Sequence, residues 1–266
     1  MSNEYRTATN LKAVQAIASG ARANGLNFLQ NLEGYNTAIA KQREEVTRNA
    51  ELAGLDKKAA ETLVAKSMDT FMRQFRKDTD AARVGLWREI DSANQALSYA
   101  RTELAVPKRA ATLHEFNSEA RARAETSLQR MGNAALKALA QKAEAEGDKI
   151  LAAAVIHQND SIPTNSRIVD SFALADAVFG EECKKVKALC DSVQLTFDSV
   201  RALNRSFDSG QPISPTEKVR LGLEHGGNAI LPRDKPAEKD GAMSSTDKIS
   251  AALQRADEYK KKLDAA

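Results

Sequence analysis

The placement of proline limits this chain more than any other feature. Its six prolines are Pro107, Pro163, Pro212, Pro215, Pro232 and Pro236, and the last four crowd into one short stretch. Inside a helix, proline removes an amide donor and clashes with the preceding turn, costing about 3 kcal/mol. The segments before Pro107, from there to Pro163, and from Pro163 to Pro212 are therefore free to run as long helices. Alanine, the strongest helix former, occurs 46 times. Aromatic residues make up only 5% of the chain, so the apolar surface available is that of Ala, Leu and Val. Helices can approach closely over such residues, which suits long packed helices better than a bulky core.

Apolar spacing divides the chain into blocks. The first, about 7–52, carries a 3-4 repeat through Leu11, Val14, Ala18, Ala21, Gly25, Phe28, Leu32, Tyr35, Ile39, Gln42 and Val46, broken in character only at Gly25 and Gln42. Sustained spacing of this kind forms a seam against a partner helix. Gly20, Gly25 and Gly34 weaken the block, and a bend or break is expected among them. Gly54 and Asp56 then supply a stop and an N-cap. The second block, 56–105, has its stripe at Val64, Met68, Phe71, Phe75, Ala82, Leu86, Ile90, Ala93, Leu97, Ala100 and Leu104. The third, 108–158, reads as one helix with Leu113, Phe116, Ala120, Leu128, Met131, Ala135, Leu139, Ile150 and Val155 inward and Gly132 and Gly147 as weak points.

The fourth block, 166–208, has the most regular heptads: Ile168, Phe172, Ala175, Phe179, Cys183, Val186, Cys190, Val193, Phe197, Val200 and Phe207, with Asn204 the one polar interruption. A short helix is expected over 215–225, with Ser214 as cap and Pro215 at the first position. Residues 226–247, rich in Gly, Pro, Ser, Lys and Asp, read as a linker or extended arm. The segment 248–266 then forms a short amphipathic helix with Ile249, Leu253, Ala256, Tyr259 and Leu263 on its apolar face. These five are the candidate partner-binding residues.

The residues that carry chemistry elsewhere do not gather here. His114, His157 and His225 are far apart and outside any HExxH or CxxC setting, while zinc needs three or four converging ligands. Neither a phosphate-binding GxxxxGK[ST] nor a GxGxxG is present. Gly226-Gly227 lacks the GxSxG elbow that a hydrolase would need and reads as a helix stop. The spacing Glu-x-x-His of di-iron helices is absent. Cys183 and Cys190 sit two turns apart on one helix, about 10 Å, beyond disulfide reach, and read as reduced core residues of a chain made in the cytoplasm. No catalytic residue, metal or cofactor is expected.

Charge narrows the partners. The 39 basic and 36 acidic residues are interspersed for a net +3, unlike the concentrated basic face of a nucleic-acid binder. The nearest approach, Arg73, Arg76, Lys77, Arg83 and Arg88, is interrupted by acids and reads as a solvated helix face. The Met68, Phe71, Met72, Phe75 cluster reads as core, with a sticky partner surface as its alternative. The longest strongly apolar run, Ile150 to Ile156, is far short of the ~20 residues that span a membrane, so an obligate transmembrane segment is not expected. Met1 to Arg6 lacks the layout of a secretory signal.

The expectation is an all-α protein of long antiparallel helices in an elongated bundle or coiled coil over 1–225, with a C-terminal arm and a terminal helix. Its function is expected to be structural: non-enzymatic assembly with protein partners, as a homo-oligomer or with other particle subunits, and without a small-molecule substrate. Abundant alanine, long helices and a tethered terminal helix have the general character of components of large particles such as tailed-phage virions, including internal and ejection proteins. A helical partner-binding or secreted effector module is the alternative, and a nucleic-acid-binding helical protein the next.

Overall fold

A computed structural model describes residues 8–221, all within one compact unit, Met1–Pro232. The fold is all-α, with no strand among the described residues. Eight α-helices follow one another: α1 (Leu11–Leu52), α2 (Lys57–Ala96), α3 (Pro107–Leu113), α4 (Glu119–Leu128), α5 (Asn133–Glu146), α6 (Lys149–Ser161), α7 (Ser171–Ser209) and α8 (Pro215–Leu221). Short side chains start most of them. The carboxamide or carboxylate oxygens of Asn10, Asp56, Asp148 and Asp170 each accept an amide hydrogen bond from the first turn, satisfying a donor that the helix itself cannot pair. Glycine closes three of them: Gly54, Gly147 and Gly210 take left-handed φ of 67°, 65° and 68° after α1, α5 and α7, a conformation that L side chains resist.

The three long helices pack side by side. α1 and α2 turn back on each other at Ala53–Asp56: the Asn24 amide donates to Glu89, and the Tyr35 and Phe75 rings meet edge to face at 5.6 Å. α7 runs antiparallel to α2, with Arg83 against Asn204, Trp87 against Phe197 and Asn94 against Gln194. Burial follows the sequence pattern closely on α7, where Ala175, Phe179, Cys183, Val186, Cys190, Val193, Phe197, Val200 and Phe207 are all buried. α1 passes through Gly20, Gly25 and Gly34 without a break. A cost of up to about 1 kcal/mol at each glycine is outweighed by the continuous contact of this helix with two neighbours.

Two sequence expectations change. The third block is four short helices rather than one. Glu115 takes a positive φ of 46° after α3, and Ser118 and Gly132 open new helices. The buried Arg121 guanidinium donates to the carbonyls of Ala111, Thr112 and His114, gathering the frayed end of α3. The inward stripe changes with it. Leu113, Phe116, Ala120, Met131 and Ala135 are exposed, while Ala111, Leu136, Ala140 and Ala143 are buried. The second block stops at Ala96, and a single π-helical turn, Ala100–Leu104, follows. There Arg101 donates to Asn94, Gln194 and the Cys190 carbonyl, which ties the turn to α7. Smaller shifts occur at block edges. α7 begins at the Asp170 cap and leaves Phe172 68% exposed. α8 is described over Pro215–Leu221, and the remainder of the expected 215–225 helix, the arm and the terminal helix lie outside the described residues.

Buried apolar side chains fall into two clusters. One joins α1, α2 and the C-terminal part of α7 around Val14, Phe28, Ile90, Val193 and Val200. The other joins α3–α6 to the N-terminal part of α7 around Leu128, Leu136, Ile156, Leu174 and Phe179.

Candidate functional site

α7 ends while α1 and α2 continue. Its last buried ring, Phe207, lies 5.8 Å from Tyr35 and 6.5 Å from Phe75, and Gly210 sits against the Arg76 guanidinium. Beyond that level the pair runs on from residue 36 of α1 to the turn and back along α2, about 25 Å at 1.5 Å per residue. An apolar groove of about 630 Å³ opens along this end, lined among the described residues by the two helices and their turn. Ala50, Ala60, Val64 and Met68 form its floor, with Leu55 at its tip. Leu52, Leu55 and Leu63 are exposed at 80%, 40% and 43%. Charges rim the groove in alternation: Arg43 and Glu51 on α1, Lys57 and Glu61 on α2. A surface of this kind binds a helix face through apolar anchors, with the rim setting register.

A second, smaller cavity of about 290 Å³ lies between the start of α1, the end of α3 and the middle of α7. His114, Glu182 and Cys183 line it beside Phe179. The imidazole of His114 packs on the Phe179 ring at 5.4 Å, and burial holds its pKa below the ordinary 6.5. Burial, helped by the Glu182 carboxylate, pushes the Cys183 thiol up to about 11. A thiol at that value is protonated at neutral pH, whereas the nucleophile and the metal ligand are both the thiolate. Glu182 is engaged by Lys149. Among the described residues no group of three or more His, Cys, Asp or Glu is placed to hold a metal ion.

The structure distributes the residues singled out in the sequence. Ile249, Leu253, Ala256, Tyr259 and Leu263 lie outside the described residues, as does His225. His157 faces Glu125 on α4, with Nδ1 3.1 Å from the carboxylate. Cys183 and Cys190 are free and buried. In the Met68–Phe75 cluster, Phe71 and Phe75 stack at 5.1 Å at the level where α7 ends, and Met68 alone lines the groove.

The basic series on α2 is not a solvated face throughout, which corrects the sequence reading. Arg83 is 1% exposed and occupies the inward position that the stripe assigned to Ala82, which is exposed. Its guanidinium donates to the Asn204 carboxamide oxygen at 2.6 Å and lies 2.7 Å from the Asp208 carboxylate. Asn204, the interruption in the α7 seam, is thus the partner of a buried cation. Nothing local in the sequence marks that pairing across 121 residues.

No family model, no curated protein and no solved structure matches the chain. The fold class and the surface at the end of the hairpin are what define it: an all-α protein with a helix pair that outruns its third helix. Among the described residues no helix is long and apolar enough to cross a membrane.

Proposed function

We propose that this chain is a non-enzymatic structural or assembly protein, that its long helices form an antiparallel bundle, and that it works by helix–helix association. The observation that carries this is the run of α1 and α2 past the end of α7, with an apolar groove and three exposed leucines at the free end. Exposed apolar surface of this kind among the described residues marks an interaction site. The alanine-rich helices and the buried, protonated thiols agree with a part built for packing. Of large assemblies with this character, a tailed-phage virion component, internal, ejection or connector-associated, fits the composition best.

The test is the solution mass of the full chain by light scattering on a sizing column, at low and at high salt. The reading expects a defined multiple of 28.9 kDa that survives high salt, because apolar contacts, unlike ion pairs, are not screened by it. A mass of one chain at every loading concentration up to about 100 µM, where a micromolar complex would be largely formed, would refute it.

A further inference from the structure

We infer that the groove at the α1–α2 end takes a second copy of this chain, the two hairpin ends packing antiparallel about a two-fold axis near Thr47 into a four-helix junction. This rests on the assembly reading and names the partner of that surface.

The rim charges identify the occupant. A nucleic acid would call for a rim of basic residues and a basic segment for an acidic one, but this rim is neutral overall, with one cation and one anion on each helix. On α1 the cation Arg43 and the anion Glu51 lie eight residues apart, about 12 Å, with Thr47 halfway between them in the groove. A two-fold axis through Thr47 sets Arg43 of each copy against Glu51 of the other. The same operation lays the floor residues Ala50 and Val64 of one groove against the other copy. Self-complementarity of this sort is what a two-fold interface requires, since one patch must serve both sides.

The area agrees with a second copy and sets the strength. The free end is about 25 Å long and two helices, about 20 Å, wide. That is roughly 500 Å² per copy and 1,000 Å² in all, at the lower limit for a specific interface. The dimer should therefore be reversible, with a dissociation constant in the micromolar range.

The experiment uses the full-length chain. Thr47→Cys should form an intermolecular disulfide under mild oxidation, because a residue on a two-fold axis meets its own copy, whereas Gln15→Cys, exposed on α1 far from the groove, should not. Both native cysteines are buried and leave this assay clear. Val64→Asp should abolish the dimer on the sizing column. Should it also perturb folding, a charge swap confined to the rim decides the matter. Arg43→Glu should weaken the dimer roughly tenfold by setting like charges together twice, and adding Glu51→Arg should restore it. A multimer that ignores all of these changes and gives no Thr47→Cys cross-link overturns the tip dimer but leaves the assembly reading standing. A single-chain mass for the unaltered protein overturns both.

Discussion

Replacing Arg83 by methionine tests how the α2–α7 interface is held in register. The guanidinium is 1% exposed, donates to Asn204 at 2.6 Å and lies over the Phe207 ring at 4.7 Å. Methionine keeps most of the apolar stem packing but removes every polar contact. Loss of a charge-assisted hydrogen bond to a buried acceptor is worth about 1.5–3 kcal/mol. The pair with Asp208 adds less, because that carboxylate is 43% exposed and water screens it; up to about 1 kcal/mol is reasonable. The Arg76 carbonyl that Arg83 also reaches lies inside α2 and keeps its helical partner. The sum is about 3 kcal/mol.

Asn204→Leu alone should cost about as much, since it leaves a buried guanidinium short of an acceptor. The double variant Arg83→Met with Asn204→Leu should lose only about 1 kcal/mol, because replacing both partners by apolar groups of similar shape is close to neutral. Urea unfolding followed by circular dichroism, read as a double-mutant cycle, should therefore show a coupling of at least about 2 kcal/mol. Losses that simply add, or an Arg83→Met loss under about 1 kcal/mol, would mean that the pair is not what sets the register.

Two further outcomes concern the small cavity. Burial places the folded-state pKa of His114 below its ordinary 6.5, so folding favours the neutral ring. That contribution is complete above pH 6.5 and is lost as pH falls through the lowered value. The melting temperature should thus drop more between pH 7 and pH 5 in the native protein than in His114→Gln, and superimposable profiles would contradict this. Cys183, with its thiol near 11, has a thiolate fraction at pH 8 about 200-fold below that of a free cysteine. Iodoacetamide at pH 8 should leave it unlabelled in the folded protein and label it in urea; rapid labelling of the folded protein would show that the cavity opens.

What could be read beforehand depended on whether a signal was local. The α7 seam from Ala175 to Phe207 was legible because heptad spacing is a direct consequence of one helix face meeting a partner. Caps were legible for the same reason: Asp56 and Gly54 act within a turn of themselves. The third block differs because apolar positions at 3.6 spacing run on across the gaps between short helices, so Leu113, Phe116 and Met131 fit a face that the chain does not keep. Gly132 and Gly147 were visible as weak points, yet the positive φ at Glu115 and the capping role of Arg121 depend on tertiary contacts. Ala82 and Arg83 are adjacent, and both fit the period; which one turns inward depends on Asn204, far along the chain. The groove was hidden for another reason. The lengths of α1, α2 and α7 are close to those the spacing predicts, but where α7 stops against α1 and α2 is a matter of register, which no local pattern encodes.

One helix, α7, belongs to both apolar clusters, giving Leu174 to Cys183 to one and Val186 onward to the other. That has a consequence for the order of folding. The α1–α2 hairpin can close through neighbours in sequence, but α7 must bring residue 204 back to residue 83, a loop of 121 residues whose closure costs about 4 kcal/mol of chain entropy. α7 therefore docks late, and its docking completes both halves at once. Thereafter neither half can open without lifting part of the helix that the other depends on, so the two clusters melt as a single cooperative unit although they share almost no side chains.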